Sequence, residues 1–192
     1  MPIAAGLNYF FHEAEHTTRP PLILIHGAGG FHLSWPPHIR RLHRCAIYAL
    51  DLNGHGKSAG NGRTTVEEHV QDVLKFMDAL GLQSACLAGH SMGGGIALAM
   101  AVLHPQRVDG LVLVGTGAKM RVAQALLDAA SQNDTFPQAV EMVIENSFSN
   151  FVDLRVKELT KQRMLLTHPQ TLHADLLACH AFNMLDSLPG IS

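Results

Sequence analysis

The apolar positions of the chain follow two patterns that alternate through its first half. Leu22 to Ile25, Cys45 to Leu50, Ala85 to Ala88 and Val108 to Val114 are short, nearly continuous apolar runs. Runs of that length and character mark strands covered on both faces of a parallel sheet. Leu7 to Glu13 reads as an earlier strand, followed by a turn over Thr17 to Pro21. Between the runs the period changes to that of a helix. Val66, Val70, Val73, Leu74, Met77 and Leu80 recur at helical spacing, Thr65 with Glu68 forms a capping-box signal, and Gly81 closes the segment. Pro36-Pro37 opens a short helix expected to run through His43, and Gly94 to Leu103 reads as a buried helix ended by Pro105. Strands alternating with helices predict an α/β fold with a doubly wound, mostly parallel sheet and right-handed crossovers. After Lys119 the alternation stops. Clusters beginning at Val122, Val140, Val152 and Leu172 keep helical spacing with no strand between them. The reading divides the chain into a core, 1–118, a helical cap, 119–185, and a short return toward the core, 186–192.

The stretch Leu82 to Pro105 organises the rest. A strand-length run passes through Gly89-His90-Ser91-Met92-Gly93 into a helix-length apolar segment. This is the G-x-S-x-G corner, in which a serine sits on a sharp strand-to-helix turn. The positions two before and two after the serine crowd each other, so Gly89 and Gly93 carry no side chain. Ser91 is expected to hold a strained backbone with its hydroxyl in solvent. The Met92 amide, in the first helical turn, has no intrahelical acceptor and points where an oxyanion would form. Upstream, His26-Gly27-Ala28-Gly29-Gly30 follows a strand but lacks the residues of either common phosphate-binding motif. It reads as a loop whose bare amides approach a ligand. Trp35 is assigned to the core rather than to substrate contact, and His55, in the Asp51 to Ser58 turn, to structure.

Composition narrows the partners. The apolar fraction is 47%, the charged fraction 16% and the formal net charge −2, with no long run of one sign. Neither nucleic acid nor a membrane is an expected partner. Cys45, Cys86 and Cys179 are far apart and suggest no disulfide framework, which points to a reducing, cytoplasmic setting. The chain does not open as a signal peptide. Its histidines are scattered without HxH or HExxH spacing, so no metal and no cofactor is expected.

HGAGG after one strand, DLNGHGKS after the next and GHSMGG at the corner, in that order, resemble the serine-nucleophile branch of the α/β-hydrolase superfamily. The resemblance covers nearly the whole first half, and the helical cap fits it. It implies that Ser91 is the nucleophile and that the Ala28 and Met92 amides form the oxyanion hole, with Gly27, Gly89 and Gly93 as the supporting glycines. It also implies a small-molecule acyl substrate: an ester, thioester, lactone or C–C bond cleaved through an acyl-enzyme. In that family a carboxylate and a histidine complete the triad beyond the cap. Here no triad acid and no triad histidine is identified; Gly115 to Lys119 holds no acid, and His26, His90, His168, His173 and His180 are not assigned as bases. The chain stops before the family's last strands, so activity of this form is expected to be impaired. A non-catalytic ligand-binding or assembly module is the alternative. Phe136, Met142, Phe148, Phe151 and Met164 suggest an apolar lining from the cap. Strand 108–114 is expected at the sheet edge, open to self-association.

Overall fold

The computed structural model describes residues 1–14 and 19–190. The turn assigned to Thr17 to Pro21 and the last residues of 186–192 therefore lie partly outside the described residues. Six strands form one sheet in the order β1-β2-β4-β3-β5-β6. They are β1 (Ile3–Ala4), β2 (Leu7–His12), β3 (Leu22–Ile25), β4 (Ile47–Leu50), β5 (Ala85–His90) and β6 (Val108–Val114). β1 and β2 pair antiparallel, β2 pairs antiparallel with β4, and β4-β3-β5-β6 are parallel. The two-residue β1 has no signal in the apolar pattern.

Helix α1 (Val66–Ala79) begins at the expected box: Thr65 accepts from the Glu68 amide while the Glu68 side chain reaches back. Such a cap contributes about 1 kcal/mol. Its inner face places Phe76, fully buried, edge-on to Tyr9 at 5.1 Å. α2 (Met92–Leu103) starts directly after Ser91 and is buried through most of its length. The segment after Pro36-Pro37 differs from expectation. It forms turns rather than a helix, with Ile39 and Arg40 amides both donating to the Pro36 carbonyl, and the only helical residues nearby are a 3₁₀ turn at His32–Ser34. The Arg40 side chain also ties this loop down by donating to the Trp35 carbonyl at 3.0 Å. The loop covers the second face of the sheet, where Trp35 packs with Leu24, Ile47, Ala49 and Ala88.

Four helices follow β6: α3 (Gln124–Ala130), α4 (Phe136–Ser147), α5 (Leu154–Met164) and α6 (Pro169–Ala181). They share a core of Leu127, Phe136, Val140, Ile144, Leu172 and their neighbours. The two ends of this segment meet. Lys119 bridges Asn183, and the Met184 amide donates to the Ala118 carbonyl at 2.7 Å. No helix among the described residues is long and apolar enough to cross a membrane.

β6 is the sheet edge, and Val112, Leu113 and Val114 are exposed on it. An unpaired apolar edge offers free N–H and C=O groups to another strand. We expect the 192-residue chain to self-associate at micromolar concentration, and Val112→Lys to shift light scattering toward the monomer. A wild-type chain that is monomeric throughout this range would remove that expectation.

Candidate active site

Ser91 sits between β5 and α2 at φ 51°, ψ −118°. It is one of two described non-glycine residues with positive φ. Such a conformation costs on the order of 1–3 kcal/mol and persists only where the surroundings over-determine it. They do so here. The Ser91 amide donates to the Val114 carbonyl at 2.9 Å, and its carbonyl accepts from the Gly94 and Gly95 amides at 2.9 and 3.2 Å. A Cβ on Gly89 would lie 2.1 Å from the Gly93 carbonyl oxygen, and one on Gly93 would lie 2.3 Å from the Ile25 carbonyl oxygen. The two glycines thus let the corner close and let α2 press against the end of β3.

The loop after β3 comes up beside the serine. A Cβ on Gly27 would stand 3.1 Å from the Ser91 Cβ. Of the next amides, Gly29 donates to Asp175 at 2.8 Å and Gly30 to the Gly27 carbonyl at 3.0 Å. The Ala28 and Met92 amides donate to no protein acceptor among the described residues. Ser91 Oγ likewise has no hydrogen-bond partner among them.

Each histidine considered as a base is committed elsewhere or is not bonded to Ser91. His26 Nε2 accepts from the Leu52 amide at 3.0 Å, so its proton is on Nδ1, which donates to the Gly27 carbonyl at 2.8 Å. Burial, and then the neighbouring His55 charge, push its pKa down to about 3. His168 caps α6, and His180 Nδ1 lies 3.0 Å from the Val122 carbonyl. His90, next to Ser91 at the cavity rim, and His173 make no hydrogen bond to it.

A cavity of about 800 Å³ opens over Ser91, between the loop and the cap. Phe148 and Met164 line it, as do Val156 and Leu159 of α5. The last two are about half exposed, because they face the cavity rather than a core. Phe136 is buried within the cap, Met142 does not reach the cavity, and Phe151 is 98% exposed. Trp35 both packs in the core and lines the cavity.

The residue that sequence reasoning missed is Asp175. It is fully buried on α6, where Oδ2 accepts from the Gly29 amide and lies 2.8 Å from His55 Nε2. The other His55 nitrogen, Nδ1, lies 3.0 Å from the Asn53 carbonyl. Both ring nitrogens of His55 therefore face acceptors, both carry protons, and the ring is a cation. The signal available in the sequence was a single acid on α6, beside Leu172, Leu176 and Leu177. Burial opposes the charge on both partners. Their attraction and hydrogen bond outweigh it, holding the Asp175 pKa below and the His55 pKa above their ordinary values. His69 Nε2 stands 3.8 Å from Asp175 Oδ1, beyond hydrogen-bond reach.

The sign of the resulting pH dependence follows from linkage. A raised histidine pKa contributes stability that is complete below the unfolded value, 6.5, and is lost as pH rises through the folded value. We expect the stability difference between wild type and His55→Gln to be largest near pH 6 and to shrink toward pH 9, read from urea midpoints. A difference that grows on the alkaline side would contradict a cationic His55.

Comparison with known proteins gives the same architecture. A family model described as alpha/beta hydrolase fold matches residues 20–183. A 2-hydroxymuconate semialdehyde hydrolase from a Pseudomonas species is 33% identical over 170 residues, 83% of this chain and 59% of that protein. A putative carbamate hydrolase, RutD, from a Caulobacter species is 38% identical over 115 residues, 57% of this chain and 42% of that protein. The acetyltransferase component of an acetoin cleaving system from Pseudomonas putida is 39% identical over 131 residues, 64% of this chain and 35% of that protein. The chain thus spans between about a third and three fifths of these relatives. The crystal structure of an enol-lactonase from Burkholderia xenovorans superposes with a TM-score of 0.84 at 24% identity, covering 97% of this chain and 74% of that one. At that identity the likeness speaks for the fold alone.

Proposed function

The chain belongs to the alpha/beta hydrolase fold family, and we propose that Ser91 is the nucleophile of a hydrolase acting on a carboxylic-ester-type bond. The observation that carries this reading is the strained, partly buried Ser91 at the foot of the cavity, with two unpaired amides, Ala28 and Met92, on its flanking elements. Backbone strain held by so many bonds at a cavity floor is a feature of functional sites. Ser91 Oγ attacks the substrate carbonyl carbon, and the carbonyl π electrons move onto its oxygen. The Ala28 and Met92 N–H groups hold that oxyanion. Its collapse expels the alcohol or thiol, which leaves with the serine's proton, and an acyl-enzyme remains. Water then cleaves the acyl-oxygen bond, releasing the acid and restoring Ser91. The apolar cap lining suits an apolar acyl group, and the reactions for which the relatives are named differ too much to choose among esters, lactones, carbamates and C–C bonds.

The test is covalent labelling by an alkyl fluorophosphonate, with digestion and mass spectrometry to place the adduct. We expect one adduct per chain, on Ser91, and none on Ser91→Ala. A chain that stays unlabelled over hours while still binding apolar acids in the cavity would favour a ligand-binding module instead.

A further inference from the structure

The oxyanion loop is held by the cap more than by the sheet. Both polar groups of Gly29 are taken by cap residues: its amide donates to Asp175 Oδ2 at 2.8 Å, and its carbonyl accepts from Thr167 Oγ1 at 3.1 Å. Gly29 has φ +63°, and a Cβ there would meet Leu172 Cδ1 at 3.0 Å and Met164 Cγ at 3.1 Å. Four cap side chains therefore converge on one glycine. Asp175 is in turn anchored on the core side by His55, which bonds the carbonyl of Asn53. The Ala28 amide is one peptide unit from the bond that Asp175 makes.

A purely structural contact between a helix and a loop does not need this chemistry. Burial opposes the charge on both the carboxylate and the imidazolium before their attraction is counted, and apolar residues of similar volume commonly serve as well. An acceptor that fixes the plane of a particular peptide is a different requirement, and an apolar residue cannot meet it. Oxyanion stabilisation depends on donors held in place before the charge forms.

We propose that Asp175 is a positioning residue: from the cap, it orients the Ala28–Gly29 peptide, so that the oxyanion donors are aligned only while the cap is seated on the loop. The role rests on the reading of Ala28 as an oxyanion donor. Thr167 supports it by fixing the following peptide. Asp175 touches neither Ser91 nor the substrate.

The experiment compares wild type, Asp175→Asn and Thr167→Val by two readouts. One is hydrogen exchange at the Gly29 amide. The other is kcat and KM for p-nitrophenyl acetate, with Ser91→Ala as the background. Asparagine keeps the shape of the side chain and loses the charge that holds His55. Removing one oxyanion donor costs roughly 10²–10³-fold in kcat, and misplacing one costs less. We expect Asp175→Asn to lower kcat by about 10–100-fold with KM nearly unchanged, and to raise Gly29 exchange at least about tenfold while β5 and α2 amides stay protected. Thr167→Val should move both readouts in the same direction by less, and it keeps the proposal testable if Asp175→Asn fails to fold. Wild-type Gly29 protection and kcat in both variants would overturn the proposal. So would exchange that rises equally through β3, β5 and α2, since that is loss of stability rather than of positioning. If the wild type turns over no faster than Ser91→Ala, the hydrolase reading fails. Gly29 exchange then still decides whether Asp175 clamps the loop.

Discussion

Gly89→Ala is expected to remove most of the chain's folding stability. The added Cβ would stand 2.1, 2.3 and 2.5 Å from the Gly93 oxygen, the Gly93 carbon and the Gly94 nitrogen. All three are backbone atoms, so no rotamer change relieves the contact. Either α2 must lift off β5 or the corner must open, and α2 carries Met92, Ile96 and Met100, all fully buried. Losses above about 4 kcal/mol are reserved for such cases, and a domain of this kind has about 5–15 kcal/mol in all. Gly81→Ala is the control. Gly81 also has positive φ, +68°, but nothing lies within 4 Å of its missing Cβ, so only the left-handed backbone penalty of about 1–2 kcal/mol applies. Urea unfolding of the two variants separates steric exclusion from backbone preference. A Gly89→Ala midpoint near that of Gly81→Ala would mean that the corner is looser than its contacts imply.

Added imidazole is expected to accelerate ester turnover through Ser91. In the chain as described, Ser91 Oγ is bonded to no histidine, and His26 has both ring nitrogens engaged. With the proposed oxyanion donors and a cavity, but no base bonded to Ser91 among the described residues, catalysis of roughly 10³–10⁴-fold over water is the level to expect, well below the order of 10 s⁻¹ of a typical enzyme. The cavity of about 800 Å³ has room for a small base beside an acyl group. General base catalysis contributes about 10²–10⁴-fold, so saturating imidazole should raise p-nitrophenyl acetate turnover by about 10²-fold beyond its effect in buffer. Ser91→Ala should show no such gain. Turnover on the order of 10 s⁻¹ without imidazole would mean that a base reaches Ser91 in solution. An imidazole effect equal in wild type and Ser91→Ala would mean that the rescue does not pass through the serine.

Much of this protein was readable from local pattern, for a definite reason. The parallel strands β3, β4 and β5 are apolar runs because covered strands need apolar residues on both faces, and such a run announces itself without any tertiary information; β6 carries the same kind of run, yet none of its residues is buried, because it stands at the sheet edge. The α1 box at Thr65 and Glu68 is equally local, and so is the clash of a Gly89 side chain with Gly93, whereas a side chain on Gly93 is excluded by Ile25 at the end of β3. What the sequence did not disclose depends on contacts between distant segments. The turns after Pro36 replace a helix because that loop is shaped by packing Trp35 on the sheet. Phe136 and Phe151 were equivalent as apolar cap residues, yet one is buried in the cap and the other is 98% exposed, a distinction set only by how four helices close on each other. Asp175 is the clearest case. A lone acid on a helix is ordinarily solvated, and its partners, Gly29 and His55, are 146 and 120 residues away. Local spacing determined where the serine stands; the bond that helps hold its strained backbone comes from Val114, on another strand. Only the tertiary structure decided which groups surround it, because burial and charge pairing are properties of segments that meet in space.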